Sequence, residues 1–314
     1  MKTVLITGCA GFIGSHLCDR FISEGFNVTG IDNLITGSRD NVSRLSGNAS
    51  FTFIEHDISS QIKIEQKIDL ILHFACPASP KDYLKYPVET MKVNSTGTYN
   101  VLELAKEKSS RFVFASSSEI YGDPLVHPQK EDYRGNVNPV GPRSVYDESK
   151  RFSEALTTVY YNKFSVDTRI LRIFNTYGQR MKSNDGRVIS NFIYSAIKNE
   201  NLVVNGDGSQ TRSFCYISDM INAVFKASVT DRINGEVLNL GNPEEFSIIE
   251  LANVIINKTR SKSKIVFTNL PADDPKKRKP DISKTSKLLS WKPLVDLNHG
   301  LTNTIEYFRG EILN

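Results

Sequence analysis

In the run Tyr146-Asp147-Glu148-Ser149-Lys150 a phenol and an ammonium stand four residues apart, and on a helix that spacing puts both on one face. The chemistry open to such a pair is proton abstraction. A free tyrosine has a pKa of about 10, so a phenolate working near neutral pH needs a drop of roughly 3 units, or about 4 kcal/mol of differential stabilisation. The ammonium supplies part of it by favouring the anion. Two more segments carry polar groups of use to such a base. Ser116-Ser117-Ser118-Glu119-Ile120-Tyr121-Gly122 follows the apolar strand Arg111-Phe112-Val113-Phe114-Ala115, and Leu171-Arg172-Ile173 runs into Phe174-Asn175-Thr176-Tyr177-Gly178. Groups at the carboxyl ends of sheet strands face the crevice where open α/β folds bind ligands.

The elements that must position these groups begin at the amino terminus. Thr3-Val4-Leu5-Ile6-Thr7 reads as a buried strand and leads into Gly8-Cys9-Ala10-Gly11-Phe12-Ile13-Gly14, after which Ile13, Leu17 and Phe21 recur every four residues and Gly25 supplies a helix stop. Glycines in a strand–turn–helix let the backbone approach a pyrophosphate, whose charge sits at the positive helix end. A second strand, Val28-Thr29-Gly30-Ile31-Asp32, ends in an acid 18 residues past Gly14, close to the spacing expected of a carboxylate that bonds an adenosine ribose. Its charge repels a 2'-phosphate, so NAD is favoured over NADP. A bound cationic nicotinamide ring would complete the lowering of the Tyr146 pKa.

Apolar strand-like runs then alternate with helical ones. Strands are expected at 3–7, 28–32, 51–55, 69–74, 111–116, 167–173 and 237–240, and helices near 12–24, 87–108, 146–163, 187–199, 218–228, 248–259 and 297–309, with Ser247-Ile248-Ile249-Glu250 a capping box. This order predicts an α/β fold, a Rossmann-type doubly wound parallel sheet with a smaller, interleaved C-terminal lobe. Residues 1–174 and 217–241 form the cofactor domain in this reading, and 175–216 with 242–314 the substrate lobe.

Composition removes several classes. A chain of 314 residues with 39% apolar content has ample core, and a net charge of +4 from evenly mixed acids and bases gives no nucleic-acid footprint. The basic run Lys276-Lys277-Arg278-Lys279 is short and bracketed by Asp273, Asp274 and Asp281. Cys9, Cys18, Cys76 and Cys215 form no metal or disulfide pattern, the five histidines are scattered, and His73 reads as a satisfied strand-end residue, so no metal is expected. No apolar run approaches the roughly 20 residues of a membrane span. The first strand starts at residue 3, leaving no room for a signal peptide. A soluble cytoplasmic protein is the expectation.

Gly8-x-x-Gly11-x-x-Gly14, Asp32, Ser117, Tyr146, Lys150 and the Arg172–Gly178 run closely resemble the extended short-chain dehydrogenase/reductase superfamily over the whole chain. Longer strings narrow the match, among them Ala75-Cys76-Pro77-Ala78-Ser79-Pro80, His127-Pro128-Gln129, Asn184-Asp185-Gly186-Arg187-Val188, Gln210-Thr211-Arg212-Ser213-Phe214 and Arg278-Lys279-Pro280-Asp281. In these the chain resembles the UDP-glucuronate decarboxylase (UDP-xylose synthase) family. It departs from the pattern at Gln179, Arg134, Ser117, Ser149 and Cys9, where relatives usually carry proline, tryptophan, threonine, glycine and glycine.

The resemblance implies NAD held by Gly8, Gly11, Phe12, Ile13, Gly14, Asp32, Asn33, Asp57 and Lys150, with Thr7 nearby. It implies a UDP-sugar held by Asn175, Arg187, Asn191, Arg212 and Arg278, the arginine forks suiting diphosphate oxygens. It makes Tyr146 the base, Lys150 the group that lowers its pKa, and Ser117 the partner of the hydroxyl being oxidised. Oxidation at C4 of UDP-glucuronate leaves the C6 carboxylate β to a ketone, so CO₂ can depart and the cofactor is restored on re-reduction. Glu119 would crowd that carboxylate by like charge, Ser118 would position it, and Arg278 would bind it and help deliver a proton to C5. A UDP-glucuronate 4-epimerase shares the oxidation but must protect the keto acid, and Glu119 argues against it. A non-catalytic NAD-binding sensor has no need of Tyr146, Lys150 and Ser117 together. Helices 87–108 and 146–163 resemble those that form the family's dimer bundle, so a homodimer is expected.

Overall fold

In the computed structural model, which describes residues 1–271 and 273–313, seven parallel strands form the central sheet. They are β1 (Thr3–Thr7), β2 (Asn27–Asp32), β3 (Phe51–Glu55), β4 (Leu70–His73), β5 (Arg111–Ser117), β6 (Thr168–Ile173) and the edge strand Glu236–Leu240. Their order across the sheet is β3-β2-β1-β4-β5-β6 and then Glu236–Leu240. Alternate residues of one strand enter different cores. Val4 and Ile6 of β1 join the cluster on one face with Leu72, Val113 and Leu171, while Leu5 joins Ile71, Phe112, Phe114 and Ile170 on the other. Because both faces are covered, these strands read as unbroken apolar runs rather than as an alternation.

The direction of strand addition reverses between β1 and β4, and it is there, at the carboxyl ends, that such sheets open a crevice. The glycine turn after β1, the Ser117 turn after β5 and the Asn175 segment after β6 all lie at that rim. The helix Ser144–Phe164, 21 residues long, carries Tyr146 and Lys150 in its first two turns.

The expected continuous helix 87–108 is interrupted. Pro87–Lys92 and Thr98–Lys108 are α-helical, but Val93–Gly97 between them is a π-turn. The cause lies in another element: the Ser153 hydroxyl from the 144–164 helix donates to the Asn94 carbonyl, and Thr98 Oγ1 bonds the Val93 carbonyl five residues back. Such single-turn widenings in helices recur at functional sites. Sequence periodicity also missed the short helices Pro80–Lys85 and Ser283–Leu289. Three small β-structures among the described residues were missed as well. In one, Thr211–Ser213 pairs antiparallel with Glu245–Ser247 and parallel with Lys277–Arg278. That register sets Arg278 directly opposite Arg212. The Ser247–Glu250 capping box is present as expected.

Candidate active site

The glycine turn has the geometry of a phosphate cradle. Gly8 has φ +75°, and a Cβ there would lie 2.7 Å from the Ala75 nitrogen; on Gly14 it would lie 2.0 Å from the Gly8 carbonyl oxygen. Gly8 therefore makes the turn and Gly14 lets the helix Phe12–Ser23 pack against it. A Cβ on Gly11 meets nothing nearer than 3.2 Å, so its missing side chain leaves room at the cavity wall. Gly8, Gly11, Phe12, Ile13 and Gly14 line a cavity of about 810 Å³ that continues past Ser117, Tyr146 and Lys150 to Arg187, Arg212 and Arg278.

Asp32 ends β2 as expected, but its oxygens accept from the Ala10 nitrogen at 3.0 Å and the Leu34 nitrogen at 2.8 Å. Burial pushes its pKa up, and those two N–H groups oppose the rise. Asp32 itself is not part of the cavity wall, which is formed nearby by Ala10, Thr36 and Ser38. Asn33 and Asp57 bond each other at 3.2 Å, and neither contributes to the cavity wall. Thr7 is structural: its hydroxyl accepts from the Phe74 and Ala75 nitrogens and pairs with His73 Nδ1 at 2.9 Å. The other His73 nitrogen meets Thr98, and burial holds the ring's pKa near 3, so it stays neutral.

Tyr146 is 5% exposed, and its ring stacks on Tyr83 at 5.1 Å between centroids. Lys150 is also buried. Its Nζ donates to the Ala115 carbonyl at 2.9 Å and lies 5.8 Å from the centre of the Tyr146 ring. Ser149, between them, donates to the Tyr146 carbonyl and accepts from Asn94 Nδ2 at 2.9 Å, which ties the π-turn to the helix that carries Tyr146 and Lys150. Burial pushes the Tyr146 phenol well above its ordinary value, against the pull of the Ser117 hydroxyl and Arg187. Burial likewise lowers Lys150. The protein's own groups thus keep the phenol protonated, and a base role requires a further positive charge brought in by a ligand.

Glu119 is clamped rather than free. Arg278 makes a two-pronged contact with it, Nη2 to Oε2 at 2.8 Å and Nη1 to Oε1, and Arg143 Nη2 reaches Oε2 at 2.7 Å. Burial alone would raise the carboxyl, but the two guanidiniums hold it down at about 2. Arg212 and Arg143 share Asp274, at 3.0 and 3.5 Å. Three guanidiniums thus meet two carboxylates at one end of the cavity, an excess of one positive charge suited to an incoming anion. The expected like-charge crowding by Glu119 is correspondingly muted until something draws an arginine away.

Ser118 is buried in the cavity wall, and the Ser117 hydroxyl caps its short turn by accepting from the Glu119 nitrogen at 3.2 Å. Asn175, Arg187 and Asn191 line the same cavity, Arg187 beside Asp185 at 3.4 Å and Asn191 accepting from the Gly186 nitrogen.

The pattern of the NAD dependent epimerase/dehydratase family matches residues 4–241. The chain belongs to this family. Among curated relatives, UDP-glucuronic acid decarboxylase 1 of Danio rerio is 48% identical over 311 residues, 99% of this chain and 73% of that one. UDP-glucuronic acid decarboxylase 1 of Arabidopsis thaliana is also 48% identical, over 99% of this chain and 71% of its own. Among solved structures, UDP-glucuronic acid 4-epimerase from Bacillus cereus in complex with UDP-glucuronic acid and NAD superposes with a TM-score of 0.90, at 32% identity, over 98% of this chain and 99% of that one.

For this epimerase/dehydratase family member, sequence reasoning missed Arg143, Tyr83 and Asp274. Arg143 had a usable signal, since it stands three residues before Tyr146 and so shares its helix face. Tyr83 had a weaker one in Ser79-Pro80, a cap followed by a first-turn proline. Asp274 enters the site through a tertiary contact with no local pattern. The unusual residues fit locally. The Gln179 carbonyl pairs with His16, and its side chain accepts from Tyr216. Cys9 is fully buried against Gly30, where a Cβ would meet its Sγ at 2.6 Å.

Proposed function

We propose that the chain decarboxylates UDP-glucuronate to UDP-xylose, with NAD as a cofactor restored in every turnover. The observation that carries this reading is the Arg278–Glu119–Arg143 clamp in the cavity that also holds Tyr146 and Ser117. A sugar whose C4 hydroxyl meets Tyr146 and Ser117 presents its C6 carboxylate to a cluster with one spare positive charge.

Gly8, Gly11, Phe12, Ile13 and Gly14 would hold the cofactor pyrophosphate, Asp32 the adenosine ribose, and Lys150 the nicotinamide ribose. When bound, NAD would supply a hydride acceptor and donor for C4 and a positive charge to favour the Tyr146 phenolate. Tyr146 takes the C4 hydroxyl proton while Ser117 fixes that hydroxyl. The resulting ketone makes C6 a β-keto acid. Arg278 and Arg143 orient the carboxylate by exchanging one of their bonds to Glu119, which leaves Glu119 less well balanced and crowds the carboxylate as CO₂ leaves. Ser118 helps to position it, and Arg187 and Arg212, with Asn175 and Asn191, hold the UDP moiety.

Val88, Met91 and Tyr99 on the helices that flank the π-turn, and Phe152 and Val159 on the helix that carries Tyr146, are each about half exposed. These apolar faces support a homodimer built on those helices. Four unbridged cysteines support a reducing compartment, the cytoplasm.

Incubation with UDP-glucuronate and NAD, with products identified by NMR, tests the reading: UDP-xylose is expected, and UDP-galacturonate would move the assignment to a 4-epimerase. NAD should also bind far more tightly than NADP, because Asp32 repels a 2'-phosphate. Titration calorimetry with both cofactors checks this, and equal affinities would remove Asp32 from its role.

A further inference from the structure

The C6 carboxylate of the proposed substrate loses its charge in the step that breaks the C5–C6 bond, because the bonding pair stays on the sugar as an enolate and neutral CO₂ leaves. Rested on that decarboxylase reading, positive charge at C6 has two opposed effects. It holds the substrate, yet it holds the charged carboxylate better than the departing CO₂, and only contacts that strengthen in the transition state speed a step. The charge of the arginine cluster must therefore be limited as well as supplied.

Asp274 lines the cavity, and its two oxygens meet different arginines, Oδ2 facing Arg212 Nη2 at 3.0 Å and Oδ1 facing Arg143 Nη1 at 3.5 Å. Glu119 takes Arg278 on both oxygens and Arg143 on one. Arg143 thus contacts both carboxylates. Arg212 stands opposite Arg278 in the small sheet. Burial and then the Arg278 charge pull Arg212 down to about 10, and Asp274 opposes them. The Nε atoms of Arg143 and Arg278 are buried and have no hydrogen-bond partner among the described residues, so each of these arginines keeps a donor for an incoming anion. We propose that Asp274 is a positioning residue for decarboxylation: it engages part of the positive charge of Arg143 and Arg212, so that the C6 carboxylate is held by one surplus charge and is still released as CO₂.

Without the Asp274 charge, Arg143, Arg212 and Arg278 face Glu119 alone, and the surplus doubles. UDP-glucuronate then binds more tightly and loses CO₂ more slowly, while oxidation at C4, the work of Tyr146, continues. Tighter binding joined to a slower step marks a contact that acts on the ground state. Damage to the fold of the cavity would instead weaken binding. UDP-glucose carries the same diphosphate with an uncharged C6, so it separates what Asp274 does through Arg143 from what it does through Arg212.

The test compares Asp274→Asn with the unsubstituted chain in two measurements. One is calorimetric binding of UDP-glucuronate and of UDP-glucose to the chain loaded with NADH, in which no oxidation starts. The other is release of labelled CO₂ in a single turnover with NAD. In Asp274→Asn the affinity for UDP-glucuronate relative to UDP-glucose should rise about tenfold, and CO₂ release should slow about tenfold while reduced nicotinamide accumulates. Asp274→Glu, which keeps the charge, should restore both values. Weaker binding of both sugars would show a merely structural role, and an equal gain for both would confine Asp274 to the diphosphate; either result, or unchanged CO₂ release, overturns the proposal while leaving the decarboxylase reading intact. If Asp274→Asn does not fold, Asp274→Ser decides in its place, and failure of both to fold would make Asp274 a stability residue and overturn the proposal. Absence of CO₂ from the unsubstituted chain would overturn the functional reading itself.

Discussion

Tyr146→Phe is expected to lower turnover of UDP-glucuronate by about three to four decades, the upper range for removal of a general base. The chain should still fold and bind NAD. The ring's stack on Tyr83 at 5.1 Å and the Lys150 bond to the Ala115 carbonyl do not involve the phenol oxygen, so the loss is confined to proton abstraction at C4. Oxidation precedes decarboxylation, and both should stop together. A stopped-flow record of nicotinamide absorbance, run beside a CO₂ assay, reads both steps. Near-normal turnover would sink the mechanism, and circular dichroism with a cofactor titration shows that the variant is folded and loaded.

Glu119→Gln and Arg278→His should separate decarboxylation from the redox core. Neither side chain touches Tyr146 or Lys150 among the hydrogen bonds of the site, so oxidation at C4 should persist. Release of CO₂ should slow by about two to three decades, the loss of roughly 3 to 4 kcal/mol of transition-state stabilisation. These variants also break a buried ion pair, which typically costs about 3–5 kcal/mol of stability because the remaining charge is uncompensated. Thermal unfolding must therefore be recorded alongside the kinetics. The expected signature is reduced nicotinamide that accumulates while labelled CO₂ lags. Unchanged CO₂ release in both variants would show that the clamp has no part in decarboxylation.

The sheet was legible because its central strands are buried on both faces and bounded by turn residues, which leaves a run of apolar residues that one sequence can display. The cradle was legible for a similar reason: Gly8, Gly14 and Asp32 act within one strand–turn–helix–strand unit, so their spacing is fixed locally. The break at Val93–Gly97 was not, since it depends on the Ser153 hydroxyl of a helix some sixty residues away, at a distance in sequence of 59. The clamp on Glu119 was half legible. Arg278 stood out only through the strings around it, because a two-residue strand leaves no periodicity, and its pairing opposite Arg212 is a property of the small sheet. Asn33 and Asp57, adjacent to the right strands, bond each other and, like Asp32, do not line the cavity.

The most direct test of the account follows carbon-13 placed at C6 of UDP-glucuronate, incubated with the protein and an amount of NAD well below that of the sugar. The account predicts that the label leaves as CO₂ in many equivalents per NAD while unlabelled UDP-xylose accumulates. Label retained in a UDP-hexuronate, with no CO₂ evolved, would contradict it.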